Sequence, residues 1–155
     1  MFRRRRPFTL LLPVLLGSAL TASDCEEVDS GHAPDTGTYV RTAVRVEVEG
    51  NCPEPIASPA NISVLRSGRT VLSVEAARLN VRAFDEVAAD GRWEGFASEI
   101  LPNGFTVTVL YIGQWVRDSM DRWTFTGDLI IDHVAPSGQL VCRESYDVTI
   151  TQTTG

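Results

Sequence analysis

The residues that could perform chemistry in this sequence are few and widely separated. There are two histidines, His32 and His133, and three cysteines, Cys25, Cys52 and Cys142. Nucleophilic catalysis needs a Ser, Thr or Cys beside an imidazole that a carboxylate orients, and neither histidine lies near a serine in a Gly-x-Ser-x-Gly setting. The sequence also lacks the Cys-x-x-Cys and His-x-x-x-His spacings typical of zinc sites. An enzymatic role is therefore disfavoured, and we expect no metal and no cofactor.

One carboxylate conflicts with the pattern around it. Glu144 shares the even phase of Cys142 and Tyr146 in a segment that alternates apolar and polar residues. A carboxylate on a buried face is costly unless it is paired. Two interpretations stay open. In the first, Glu144 lies at the rim near the start of its strand, reaches solvent or sits on a bulge. In the second, it is an inward polar anchor for a ligand, with Tyr146 beside it. Trp93 and Trp123 are further candidates for lining a ligand pocket, although such rings more often fill a core.

Two other residues lie outside clean alternation. Trp115, followed by Val116 and Arg117, is a candidate for an exposed contact. His133 is expected in a turn that follows Asp132.

The elements that must position these residues are strands, because apolar and polar side chains alternate along most of the chain from Tyr39 onward. In 39–49 the valines at even positions are expected to face the interior and the charged residues at odd positions to face solvent. Turn formers such as Asp90-Gly91 fall between the alternating segments and suit hairpins. Further strands are expected at 62–66, 93–97, 105–111, 122–132 and 139–151.

The segment 69–84 has no turn former and is ambiguous. Its apolar phase switches around Ala76 and Ala77, as a β-bulge would produce, whereas 75–79 has good helix propensity. A strand is favoured over a helix because both halves alternate. The chain then has seven or eight strands, depending on whether this segment bends or breaks.

The expected fold class is all-β, an antiparallel meander that closes fully or partly into a barrel, with a β-sandwich as the alternative. The even strand spacing and short hairpins resemble the architecture of lipocalin barrels, although the Gly-x-Trp start of that family is absent. The resemblance implies an apolar lumen with room for side chains or one small ligand. Cys52 and Cys142 flank Trp93 in a manner similar to the immunoglobulin sandwich, but Cys52 lies too far from Trp93 for that fold.

Barrel closure also predicts a disulfide. Cys52 lies just beyond the end of the first strand, and Cys142 lies near the start of the last. If these strands pair antiparallel, the end of one meets the start of the other, which favours a Cys52–Cys142 bridge. A pairing with Cys25 and an unbridged, buried Cys142 remain the alternatives.

The first residues predict export. Segment 1–23 has four arginines at 3–6, an apolar stretch too short to span a bilayer and then small residues, which is the layout of a signal peptide. Segment 24–38 reads as a flexible acidic tether, and 39–155 as a single β domain. A lipid anchor at Cys25 is disfavoured because Asp24 stands where lipoprotein signals have Gly, Ala or Ser. No transmembrane span is expected in the mature chain.

Charge narrows the choice of partners. The 20 acids outnumber the 14 basic residues, and removing the leader would remove four arginines and no acid. Such a surface repels phosphate backbones, so nucleic acid is not an expected partner. The sequence predicts an exported bacterial domain, periplasmic, in the cell envelope or extracellular, with a non-catalytic binding or structural role toward an envelope protein or an unknown small molecule. The alternative is a lipocalin-like carrier of a small apolar ligand.

Overall fold

A computed structural model describes residues 33–153, which form eight antiparallel strands and contain no helix. Consecutive strands pair in chain order, and the last pairs with the first, so the sheet closes into a meander barrel. The expected all-β meander is thereby confirmed. The expected leader at 1–23 and Cys25 lie outside the described residues. The strands are β1 (Gly37–Gly50), β2 (Ala60–Ser67), β3 (Val71–Glu75), β4 (Arg82–Glu86), β5 (Arg92–Ile100), β6 (Thr106–Arg117), β7 (Trp123–Val134) and β8 (Leu140–Gln152).

Apart from the loop 51–59 between β1 and β2, the connections are short. Gly91, between β4 and β5, has φ +85°, and a Cβ there would lie 2.3 Å from the Trp115 carbonyl oxygen. Between β6 and β7 the Asp118 carboxylate accepts hydrogen bonds from the backbone N–H groups of Met120 and Arg122 and from the Arg122 guanidinium. These local bonds fix the register of the hairpins.

The ambiguous segment 69–84 breaks into two strands. β3 ends at Glu75, and β4 begins at Arg82. Between them the Ala76 N–H donates to the Val81 carbonyl oxygen over 3.4 Å, and Arg78 has φ 67°. The helical alternative is wrong, and the count is eight strands.

The predicted orientation of β1 is wrong. Tyr39 and Arg41 are buried, whereas Val44 is 66% and Val46 is 56% exposed. The strand starts at Gly37, two residues before the expected domain boundary at Tyr39. The valines alone do not decide which face of β1 points inward. Tyr39, on the opposite face, buries more apolar surface than a valine does, so the two faces are similar in the apolar surface that they can bury.

Pairing with β8 fixes this orientation. Arg45 lies opposite Tyr146, and Val44 lies opposite Asp147. Tyr146 faces inward in its own strand, so Arg45 does too. The register shifts between Arg45 and Glu47, which marks a bulge, and Glu47 then lies opposite Ser145.

Aromatic rings fill the interior of the barrel. The Trp93 ring lies 5.8 Å from Tyr111 and 5.9 Å from Phe125, and the Trp115 ring lies 5.2 Å from Phe125 and 5.9 Å from Tyr39. The prediction that Trp115 makes an exposed contact is wrong, since only 2% of it is exposed. It has the inward phase of β6, and its size makes burial favourable.

The pairing between β4 and β5 is the weakest in the barrel. These strands share a single register pair, Phe84 with Phe96, whereas β6 and β7 pair along their whole length from Thr106 to Arg117. The Trp93 indole N–H donates to the Asp85 carbonyl oxygen over 3.2 Å across this gap. Within residues 33–153 no helix is long and apolar enough to cross a membrane.

Candidate functional site

Glu144 is the centre of a buried ionic cluster at one end of the barrel. Its side chain has no exposed surface. Its Oε1 accepts hydrogen bonds from the Tyr146 hydroxyl at 2.8 Å, from Arg78 Nη2 at 3.1 Å and from Arg45 Nη2. The inward phase predicted for Glu144 is therefore observed, and the alternative of a solvent-reaching rim position is wrong. Two guanidinium groups and a phenol compensate the desolvation of the carboxylate.

Two loops cover this end of the barrel through the same side chains. Arg45 Nη2 also donates to the Pro53 carbonyl oxygen at 2.8 Å, and Arg78 Nη2 donates to the Glu54 carbonyl oxygen. The Ile56 N–H donates to the Tyr146 hydroxyl at 3.2 Å, and Ile56 itself is buried. The loop between β1 and β2 and the turn between β3 and β4 are thus joined to the barrel interior by the Glu144 cluster.

The second oxygen of Glu144 has a different environment. Oε2 has no hydrogen-bond partner among the described atoms, and the same holds for His133 Nε2, which lies 3.6 Å away. Desolvation lowers the pKa of His133, and the nearby Glu144 charge opposes that shift in part. His133 lies in β7, which runs to Val134, so its predicted place in a turn is wrong. The strand extends two residues beyond the predicted end at Asp132 and so includes His133.

The predicted disulfide is present beside this pair. Cys52 and Cys142 are bridged, with 90 positions between them in the sequence. Cys142 lies opposite Gly50 in β1 and opposite His133 in β7. The antiparallel closure of β1 on β8 brings the two cysteines together, as the sequence argument requires.

The structure brings together some of the predicted ligand residues and separates others. Glu144 and Tyr146 are hydrogen bonded. Trp123 begins β7, whereas Glu144 lies opposite Ile131, eight residues further along that strand. At about 3.3 Å per residue the two levels are about 26 Å apart along the strand. Trp93 belongs to the ring cluster of the core. The role of these residues in binding a ligand stays a prediction.

A second candidate site lies on the outside of the barrel. Phe84, Phe96, Leu110 and Ile130 are successive register partners across β4, β5, β6 and β7, all in the outward phase. We call these four residues the outer apolar row. Phe84 is 65% and Phe96 is 49% exposed, and Leu110 and Ile130 are half-buried. A continuous row of this kind across four strands is unusual on a solvated sheet face, where polar residues are expected.

Acidic side chains border the outer apolar row. Glu86 follows Phe84 by two residues on the outer face of β4, and Glu94 precedes Phe96 by two residues on the outer face of β5; both are exposed. A shallow groove of about 220 Å³ between the strands is lined by Asp85, Glu86, Ala88, Arg92, Trp93 and Glu94.

Sequence reasoning did not identify the partners of Glu144 or the outer apolar row. The alternation of β1 predicts that Arg45 faces solvent, and Arg78 lies in the ambiguous segment 69–84. Phe84 and Phe96 belong to strands whose pairing cannot be read from a single strand's pattern. A buried carboxylate requires a compensating partner, and this requirement is the one sequence signal from which an inward arginine could have been inferred.

The fold defines a small antiparallel meander barrel whose closure is held by a disulfide and by a buried ionic cluster. Comparison of the chain with family models, with curated proteins and with solved structures finds no match.

Proposed function

We propose that this chain is an exported, non-catalytic β-barrel domain that binds a partner protein on its outer face. The observation that carries this proposal is the outer apolar row. Exposed phenylalanines on adjacent strands have an unfavourable free energy of hydration in the free protein. Contact with an apolar partner surface would remove them from water and so favour binding. Aromatic side chains also contribute strongly to protein interfaces.

The packed interior supports an outer binding face over a lumenal one. A barrel of eight strands has room for side chains or for one small ligand. Here Trp93, Tyr111, Trp115 and Phe125 occupy that space in mutual contact. This arrangement favours the binding of a macromolecule outside over the carriage of a small apolar molecule inside.

Charge around the row defines the chemistry of the partner. Glu86 and Glu94 border the two phenylalanines on the same outer face, so a complementary segment carries Arg or Lys together with apolar side chains. The weak β4–β5 pairing places this surface where the sheet has the fewest ladder bonds. An extended segment of an envelope protein with alternating apolar and basic residues fits both features.

Export is part of the same proposal. The Cys52–Cys142 bridge favours an oxidising compartment, because disulfides persist there and are rare in the cytosol. The predicted signal peptide at 1–23 agrees with that compartment.

Selection from a library of displayed random peptides tests the proposal. The probe is the library itself, selected on the immobilised oxidised protein, and each enriched peptide is then measured against the Phe84→Ser/Phe96→Ser double variant. We expect enriched peptides to combine apolar with Arg or Lys residues, and to bind the double variant at least about tenfold more weakly.

Val116→Ser is the matched control, since Val116 is an exposed apolar residue on β6 outside the row. It should bind the selected peptides as the unmodified protein does. Failure to enrich any peptide, enrichment of acidic peptides, or equal binding to the double variant would each contradict the proposal.

A further inference from the structure

Three side chains that can ligate a metal converge at the Glu144 end of the barrel. One ligand atom each from His133, Cys142 and Glu144 lies within 4.8 Å of the others. The disulfide places the Cys52 sulfur next to that of Cys142. The four residues come from β7, β8 and the loop after β1, which explains why no local spacing in the sequence reveals them.

Two of these ligand atoms lack a hydrogen-bond partner although they are buried. His133 Nε2 and Glu144 Oε2 have no hydrogen bond within the described chain, and they lie 3.6 Å apart. Two ligands that are each about 2.1 Å from a tetrahedral zinc ion lie about 3.4 Å apart. The observed separation is close to this value. Unsatisfied buried polar atoms are costly, and coordination of a cation would satisfy both.

We propose that reduction of the Cys52–Cys142 disulfide creates a metal site in which the two cysteine sulfurs, His133 Nε2 and Glu144 Oε2 bind Zn²⁺. Two thiolates, an imidazole and a carboxylate are ligands that zinc accepts, and they supply the four positions of a structural site. In the oxidised protein the sulfurs are bonded to each other, and the set is incomplete.

The chemistry of the switch balances with a dithiol as reductant. The dithiol supplies two electrons and two protons, the S–S bond breaks, and the reductant leaves as its own disulfide. Zn²⁺ then displaces one proton from each thiol as the two Zn–S bonds form. Cys52 is partly exposed whereas Cys142 is buried, so a reductant can reach the bridge from the Cys52 side.

The charges around the site can accommodate a dication. Arg45 and Arg78 lie on the Oε1 side of Glu144, where they hold the carboxylate in place. The two thiolates and Glu144 together carry three negative charges, which offset the charges of the ion and of one guanidinium. The arginines thus orient the carboxylate so that Oε2 is left for the metal, in the way that outer-sphere partners orient ligands in known sites.

Cobalt titration of the reduced protein tests the proposal. The full-length protein is reduced with a phosphine, which leaves as the phosphine oxide with oxygen taken from water, and Co²⁺ is added without air. We expect thiolate-to-cobalt charge-transfer absorption together with the intense visible bands of a tetrahedral ion, and Zn²⁺ should abolish both. The oxidised protein should give neither signal.

Variants separate this site from adventitious binding. His133→Gln should weaken Co²⁺ binding at least about tenfold, since even the loss of an outer-sphere partner has that effect. Cys52→Ser should remove much of the charge-transfer absorption. Asp132→Asn is the matched control, because Asp132 precedes His133 but its carboxylate pairs with Arg143; its Co²⁺ affinity should not change.

Three outcomes would overturn the proposal. The first is a weak octahedral spectrum without charge transfer. The second is equal Co²⁺ affinity in His133→Gln and the unmodified protein. The third is loss of the native tryptophan fluorescence on reduction alone, since the site requires the closed barrel. None of these outcomes bears on peptide binding at the outer apolar row, which is measured on the oxidised protein.

Discussion

Replacing Glu144 by glutamine removes a charge from the buried end of the barrel and keeps the shape of the side chain. Loss of one partner from a buried ion pair costs about 3–5 kcal/mol when the remaining charge stays buried. Here the Arg45 and Arg78 side chains are 22% and 21% exposed, so water can partly solvate the two guanidinium charges after the Glu144 charge is removed. The amide oxygen of glutamine can still accept a hydrogen bond. We therefore expect the free energy of unfolding to fall by about 2–3 kcal/mol.

Urea unfolding followed by tryptophan fluorescence measures this loss, because Trp93, Trp115 and Trp123 are all buried. The disulfide is kept intact throughout. For a domain of this size the same loss lowers Tm by about 6–15 °C. Glu94→Gln is the control, since Glu94 is an exposed carboxylate on the outside of β5, and its unfolding free energy should change by less than about 0.5 kcal/mol.

A double-mutant cycle tests the reasoning behind the magnitude. Arg45→Met and Glu144→Leu should each destabilise the protein, and the double variant should lose less than the sum, because replacing both members of a buried pair by apolar residues is nearly neutral. We expect a coupling energy of about 1–3 kcal/mol. If Glu144→Gln were no more destabilising than Glu94→Gln, or if the cycle were additive, the ionic cluster would not hold this end of the barrel together.

Three further perturbations follow from the closure and the core. Replacing both Cys52 and Cys142 by alanine should lower the unfolding free energy in urea by about 2–4 kcal/mol, below the upper limit of about 4.6 kcal/mol from loop entropy for 90 positions; an unchanged midpoint would show that the bridge does not constrain the unfolded chain. Gly95→Ala places a Cβ 2.1 Å from atoms of the Trp93 ring, so the ring must move. We expect the free energy of unfolding to fall by about 1–3 kcal/mol and the near-UV circular dichroism spectrum to change. A spectrum identical to that of the unmodified protein would refute this packing. Burial raises the pKa of Tyr111, so the folded protein keeps a proton that the unfolded chain releases above pH 10. The free energy of unfolding should therefore decline above pH 10 by about 1.4 kcal/mol per pH unit for each such tyrosine. Tyr111→Phe should make that decline shallower in unfolding curves recorded across this pH range, and an identical slope would contradict the reasoning.

The strand pattern and the turn formers were sufficient to predict an antiparallel meander. Alternation in β6, β7 and β8 places Val107, Phe125 and Ile150 inward, as the structure has them. Alternation has a period of two residues and is local, so it needs no knowledge of neighbouring strands. Once closure is assumed, the positions of Cys52 and Cys142 at matching strand ends predict their bridge without further information.

The orientation of β1 could not be read in the same way. Its even face carries valines and its odd face carries Tyr39, Ala43 and arginines, so both faces can be buried or exposed at moderate cost. The choice depends on β8, because Arg45 must turn inward to reach Glu144. A contact between residues that are 99 positions apart is invisible to any local window.

The candidate sites follow the same division. The sequence by itself identified Glu144 as a residue in conflict with its surroundings, because a charge in an apolar phase is recognisable within one strand. Only the tertiary structure decided what resolves the conflict, and only barrel closure put His133 beside Cys142 and aligned Phe84 with Phe96. Local periodicity fixes which way a side chain points within its strand, whereas the pairing of strands fixes which side chains meet, and pairing is decided by the free energy of the whole closed sheet.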